Sequence, residues 1–157
     1  MPIQACYVHT NLVARDWRIL VEFYIQVFGC QPVPPERHLE AEWVAQATGV
    51  PGAAISGMHL RLPGYGDRGP TLEIFQYNFI QPGENPAINR PGLAHLAFGV
   101  DDVAAGLEAV LTAGGRQVGE LVRVQVTGVG WLVFVYAADP EGNILELQKW
   151  EQQAKDG

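Results

Sequence analysis

His9-Thr-Asn-Leu-Val-Ala-Arg-Asp16 and His95-Leu-Ala-Phe-Gly-Val-Asp-Asp102 decide how this chain is read, because each opens a copy of one layout. In both stretches an Asp follows the His by seven positions, and a Gly follows that Asp by thirteen, at Gly29 and Gly115. Each copy closes on a Gly four residues before a Glu with apolar neighbours, Gly69-Pro-Thr-Leu-Glu73-Ile and Gly142-Asn-Ile-Leu-Glu146-Leu. The two His residues stand 86 positions apart and the two Glu residues 73, so the first copy carries 13 extra residues. An internal repeat outranks any local reading, since each copy must be built the same way and bury its apolar face against something. The residues that recur at matched places are metal-ligand types.

Within a copy the periodicity switches from 2 to 3.6 and back. Cys6 to Leu12 reads as a strand carrying His9, with Asp16 as helix N-cap, its carboxylate taking amides that lack an intrahelical partner. Trp17, Leu20, Val21, Tyr24, Val27 and Phe28 then mark one apolar helix face, which Gly29 ends. In the second copy Leu93 to Val100 is the strand, Asp101 or Asp102 the cap, and Val103, Leu107, Val110 and Leu111 the apolar face, ended by Gly114-Gly115. Strands follow at Gly57 to Leu62 and Thr71 to Tyr77, then at Glu120 to Val126, Trp131 to Ala137 and Asn143 to Gln148. The unit is strand, helix, then three strands (βαβββ). Residues 5–77 make the first module, with an extra segment at 32–54 in which Leu39, Trp43 and Ala47 suggest a short helix. Residues 78–92 are a Pro-rich linker and 93–149 the second module. The fold class is α+β, two tandem modules forming a curved mixed sheet with helices on its outer face.

Side chains alternate across a strand, so Glu73 opposes Leu72 and Ile74, Glu146 opposes Leu145 and Leu147, and His95 opposes Leu96 and Phe98. The apolar faces belong to the helices. His9, Glu73, His95 and Glu146 therefore lie on the other face, where quasi-twofold pairing would bring them into one site. A carboxylate in an otherwise apolar strand is costly unless paired or bound to a cation. Imidazole nitrogens with carboxylate oxygens suit a divalent metal: Zn, Ni, Co, Mn or Fe(II). Four such ligands and two waters would make an octahedral Lewis-acid site. Tyr7 and Asn11 flank His9 on its face, while His59 and Arg61 alternate with Met58, Leu60 and Leu62; Phe75 lies on the Glu73 face. These five are the candidate substrate-binding residues, Arg61 for a carboxylate or phosphate. Trp43 is expected to pack its short helix, His38 to lie at the surface, and Cys6 to point away from His9.

Composition bounds the rest. The formal charge of −7 disfavours nucleic acid or an anionic membrane as partner. Cys6 and Cys30 form neither a disulfide framework nor a thiolate site, the N-terminus shows no signal peptide, and the longest apolar run, Trp131 to Ala138, is too short to span a bilayer. A cytoplasmic protein is the expectation.

The chain resembles the vicinal oxygen chelate superfamily, which includes glyoxalase I, methylmalonyl-CoA epimerase, extradiol dioxygenases, fosfomycin-resistance thiol transferases and bleomycin-resistance proteins. The matching pieces are Phe23-Tyr24 with Val27-Phe28-Gly29, Gly92-Leu-Ala-His95-Leu-Ala-Phe-Gly-Val-Asp101-Asp102, and Asp139-Pro-Glu-Gly-Asn-Ile-Leu-Glu146-Leu. The resemblance implies one glyoxalase-like domain over residues 1–157. In the dioxygenases and fosfomycin enzymes the place of Glu73 is not a ligand; in glyoxalase I and the epimerases it is Glu or Gln. The resemblance is thus to the lyase and isomerase branch, with ring-cleaving dioxygenase, thiol transferase and non-catalytic resistance protein as alternatives. It implies a metal held by His9, Glu73, His95 and Glu146, which would stabilise an enediolate on a small oxygen-chelating substrate, a thioester or thiol adduct among them. Glu146 or Glu73 would carry the proton. A homodimer is expected, since each half-sheet needs a partner within the chain or across a dimer.

Overall fold

Asp16 accepts hydrogen bonds from the amides of Arg18 and Ile19, and the helix it caps runs over Trp17–Phe28 until Gly29 takes a left-handed turn at φ 67°. The computed structural model describes residues 1 and 3–151, and the chain divides into two compact units, Met1–Gly83 and Glu84–Gly157. The first unit runs β1 (His9–Val13), α1 (Trp17–Phe28), β2 (Gln31–Leu39), α2 (Glu42–Thr48), β3 (Ile55–Arg61) and β4 (Thr71–Tyr77). The second runs β5 (Leu96–Gly99), α3 (Val103–Thr112), β6 (Arg116–Gln117), β7 (Val122–Val126), β8 (Gly130–Ala138) and β9 (Ile144–Glu151). The architecture is α+β with two sheets.

Each sheet pairs its first strand, in parallel, with its last. The first has the order β1-β4-β3-β2, and only β1 and β4 are parallel. The second has the order β5-β9-β8-β6, with β7 also pairing β8 and only β5 and β9 parallel. The apolar faces receive the helices as expected. In unit 1, Leu20, Phe23 and Tyr24 of α1, a helix lying on β3 and β4, are buried together with Leu60, Leu72 and Ile74 of those strands. In unit 2, Val103, Leu107 and Val110 of α3 are buried with Val135, Leu145 and Leu147 of β8 and β9.

Several expectations are corrected. The first strand starts at His9 rather than Cys6. Its ladder with β4 begins at Thr71, whose amide reaches the Val8 carbonyl, and the preceding Pro70 has no N–H to extend it. The segment assigned to an insertion contains β2, the strand that completes the first βαβββ unit. Pro32, Pro34 and Pro35 are tolerated there because β2 is an edge strand whose register breaks between Val33 and Arg37. The expected short helix is α2, but its buried residue is Val44, and Trp43 is exposed. Leu111 is exposed as well. Asp102, not Asp101, caps α3, through the Ala105 amide. Residues 78–92 contain no strand, as their prolines require. Among the described residues no helix is long and apolar enough to cross a membrane.

Candidate functional site

In unit 1 the strand register builds the site in rows. Glu73 of β4 stands opposite Asn11 of β1 on one side and His59 of β3 on the other, and one row away His9, Thr71 and Arg61 align. Direct cross-strand partners share a face, so these side chains rise together on the side turned from α1. Glu73 is buried at 8% exposure, and both of its oxygens are engaged. Oε1 lies 2.8 Å from His9 Nε2 and Oε2 lies 2.6 Å from His59 Nε2. Desolvation holds the His59 imidazole below its ordinary value; Arg37 and His9 push the same way, and Glu73 opposes them. The Phe75 ring lies 5.7 Å from that of His59. Gly57 makes this placement possible, since a Cβ there would collide with the Ile74 carbonyl and the Phe75 ring.

Unit 2 repeats the arrangement with one change. Glu146 of β9 stands opposite Ala97 of β5 and Tyr136 of β8. His95, just ahead of β5, brings Nε2 to 3.0 Å from Glu146 Oε2. Tyr136, at the register place of His59, sets its ring edge-on to His95 at 5.2 Å and meets Phe134 at 5.6 Å. His95 Nδ1 is buried with no hydrogen-bond partner among the described residues.

Each unit thus brings its predicted His and Glu together on one face. Two donors at cis positions of a metal, each about 2.1 Å from it, lie about 3.0 Å apart. The 2.8 and 3.0 Å His–Glu separations fit that edge, and the N/O donor set fits a divalent cation of borderline hardness. Among the described residues no three His, Cys, Asp or Glu side chains converge on a point suited to a metal ion. His9, Glu73 and His59 form a chain rather than a cage, with the two rings 6.3 Å apart.

Of the other candidates, Asn11 and Phe75 lie on the Glu73 face. Arg61 also does, but its guanidinium is tied to the Gly69 carbonyl at 3.0 Å, beside a cleft of about 380 Å³ that Gln31, Val33 and Asp67 help line. Tyr7 precedes β1, exposed, with its hydroxyl against Thr10. His59 is on an inner strand, between β2 and β4. His38 is a surface residue paired with Glu36. Cys6 is exposed and Cys30 is buried, its thiol pushed up to about 11 by desolvation. Sequence reasoning missed Tyr136; the period-2 pattern of Trp131 to Ala137 contained it, since Tyr136 opposes Val135 and Ala137.

Known proteins resemble this chain over nearly its whole length. Residues 7–147 match the Glyoxalase/Bleomycin resistance protein/Dioxygenase superfamily. A protein of Vibrio parahaemolyticus described as a probable lactoylglutathione lyase is 30% identical over 141 residues, which cover 88% of this chain and 86% of the relative. Among solved structures, a glyoxalase family protein from Bacillus cereus aligns with TM-score 0.73 at 18% identity, covering 97% of each chain. A glyoxylase/bleomycin resistance protein/dioxygenase domain from Frankia sp. EAN1pec aligns with TM-score 0.59 at 20% identity, covering 95% of this chain and all of that one.

Proposed function

We propose that this chain, which belongs to the Glyoxalase/Bleomycin resistance protein/Dioxygenase superfamily, is a divalent-metal-dependent lyase or isomerase acting on a small substrate with two adjacent oxygens. The observation that carries the reading is the recurrence of one contact in both units, His9 Nε2 to Glu73 at 2.8 Å and His95 Nε2 to Glu146 at 3.0 Å. The relative described as a probable lactoylglutathione lyase supports the lyase side.

In this reading His9 and Glu73 of the first unit and His95 and Glu146 of the second would be the ligands of one cation, within a chain or across a homodimer. A cation held there would supply Lewis-acid polarisation to the two substrate oxygens, and the neighbouring C–H would become more acidic. Glu146 would take that proton and return it to the adjacent carbon. Asn11 and Phe75, beside Glu73, orient the substrate. Arg61 holds an anionic end of it, and Tyr7 lines the approach.

The test is to strip the protein of metal and restore Zn, Ni, Co, Mn or Fe(II) one at a time. Methylglyoxal–thiol adducts and acyl-CoA epimers are the substrates to assay. Metal-dependent turnover of one of them is expected, with no oxygen consumed. Oxygen uptake with catechols would move the chain to the ring-cleaving alternative, and binding of aromatic drugs by a metal-free protein would move it to sequestration. Light scattering at micromolar concentration is expected to give the mass of a dimer.

A further inference from the structure

The two halves of the proposed site differ at one register place. The residue opposite Glu73 is His59, and the residue opposite Glu146 is Tyr136. His59 spends its Nε2 on Glu73 Oε2 at 2.6 Å, while His9 takes Oε1, so that both oxygens of this buried carboxylate are engaged. Tyr136 turns its ring to His95 instead, and the ion-pair contact of Glu146 is with His95 alone among the described residues. His59 is itself held: Phe75 packs on its ring from the space that Gly57 leaves open. A carboxylate gripped at both oxygens by side chains on two neighbouring strands has little freedom to rotate. A carboxylate gripped at one oxygen can swing.

We propose that His59 is a positioning residue that clamps Glu73 as the stationary carboxylate and leaves Glu146 as the one that moves the proton. The inference rests on the metal-dependent reading for what the clamp is used for, while the clamp itself is a feature of unit 1. A neutral His59 donates Nε2–H to Glu73 Oε2, which keeps the other oxygen aimed where His9 points. Partners of metal ligands of this kind typically change metal affinity by about 10- to 100-fold when removed.

Two measurements test it. Calorimetric titration with Ni²⁺ should show His59→Ala binding about 10- to 100-fold more weakly than the wild type. His59→Gln, which retains an N–H donor of similar reach, should recover most of the loss. Affinity of His59→Ala within twofold of wild type would overturn the proposal, and circular dichroism and melting of both variants would separate misfolding from lost positioning. The second measurement needs no metal. Imidazole ¹⁵N spectra should show the His59 nitrogens shifting in Glu73→Gln and staying in place in Glu146→Gln. A His59 signal indifferent to Glu73→Gln would overturn the clamp even if metal binds. If the wild type takes up none of Zn, Ni, Co, Mn or Fe(II) while the His59 signal follows Glu73, the metal-dependent function fails and the clamp stands.

Discussion

The His–Glu pair of unit 1 and that of unit 2 are built by the same topology, yet they are not equivalent. In each, the first strand pairs in parallel with the last, and the Glu rises from that last strand opposite a residue of its antiparallel neighbour. That neighbour residue bonds the carboxylate in unit 1, where it is His59, and packs against the histidine in unit 2, where it is Tyr136. A repeat fixes where groups stand. Whether a carboxylate is held or left to turn is decided by one cross-strand side chain.

The largest effect expected from this comparison is in turnover. Glu146→Gln should lower kcat by at least about 10³-fold, within the range a positioned general base supplies, because it removes a proton acceptor and a ligand charge at almost constant volume. Glu73→Gln should be far milder, since a clamped carboxylate serves as a ligand and an amide oxygen can still coordinate. Steady-state kinetics on whichever substrate turns over decides between them; equal losses for both would erase the distinction between the halves.

A swap sharpens the contrast. Tyr136→His places in unit 2 the residue that grips the carboxylate in unit 1, and should cut kcat by about tenfold, roughly 1.4 kcal/mol of barrier. KM and melting temperature should change little. Unchanged kcat would mean that cross-strand gripping does not restrain Glu146.

The smallest effect separates the two helix caps. Asp16 accepts from two amides and Asp102 from one. Loss of an N-cap acceptor costs about 1 kcal/mol, so Asp16→Ala should destabilise the protein by about that amount and Asp102→Ala by somewhat less. Urea denaturation of the two variants reads the order, and a larger loss at Asp102 would contradict it.

Much of this architecture was legible in the amino-acid order. The caps, the helix-ending Gly29, the apolar faces and the side of the sheet on which each His and Glu stands all follow from local periodicity. What escaped was set at a distance. Three prolines make Pro32 to Leu39 look unlike a strand, and only its position at the sheet edge, with a register break, accommodates them. Trp43 reads as the anchor of its helix by hydrophobicity, but the surface that α2 meets selects Val44. Alternation showed that His59 shares the face of Glu73; that it bonds Glu73 depends on which strands are neighbours.

The sequence by itself determined the duplicated module, the face occupied by His9, Glu73, His95 and Glu146, and the chemical class of those donors, because periodicity and residue type act over a few residues. Only the tertiary structure decided that Glu73 is held by two histidines and Glu146 by one, because strand register joins residues separated in the chain by tens of positions, and hydrogen bonds are made across that register.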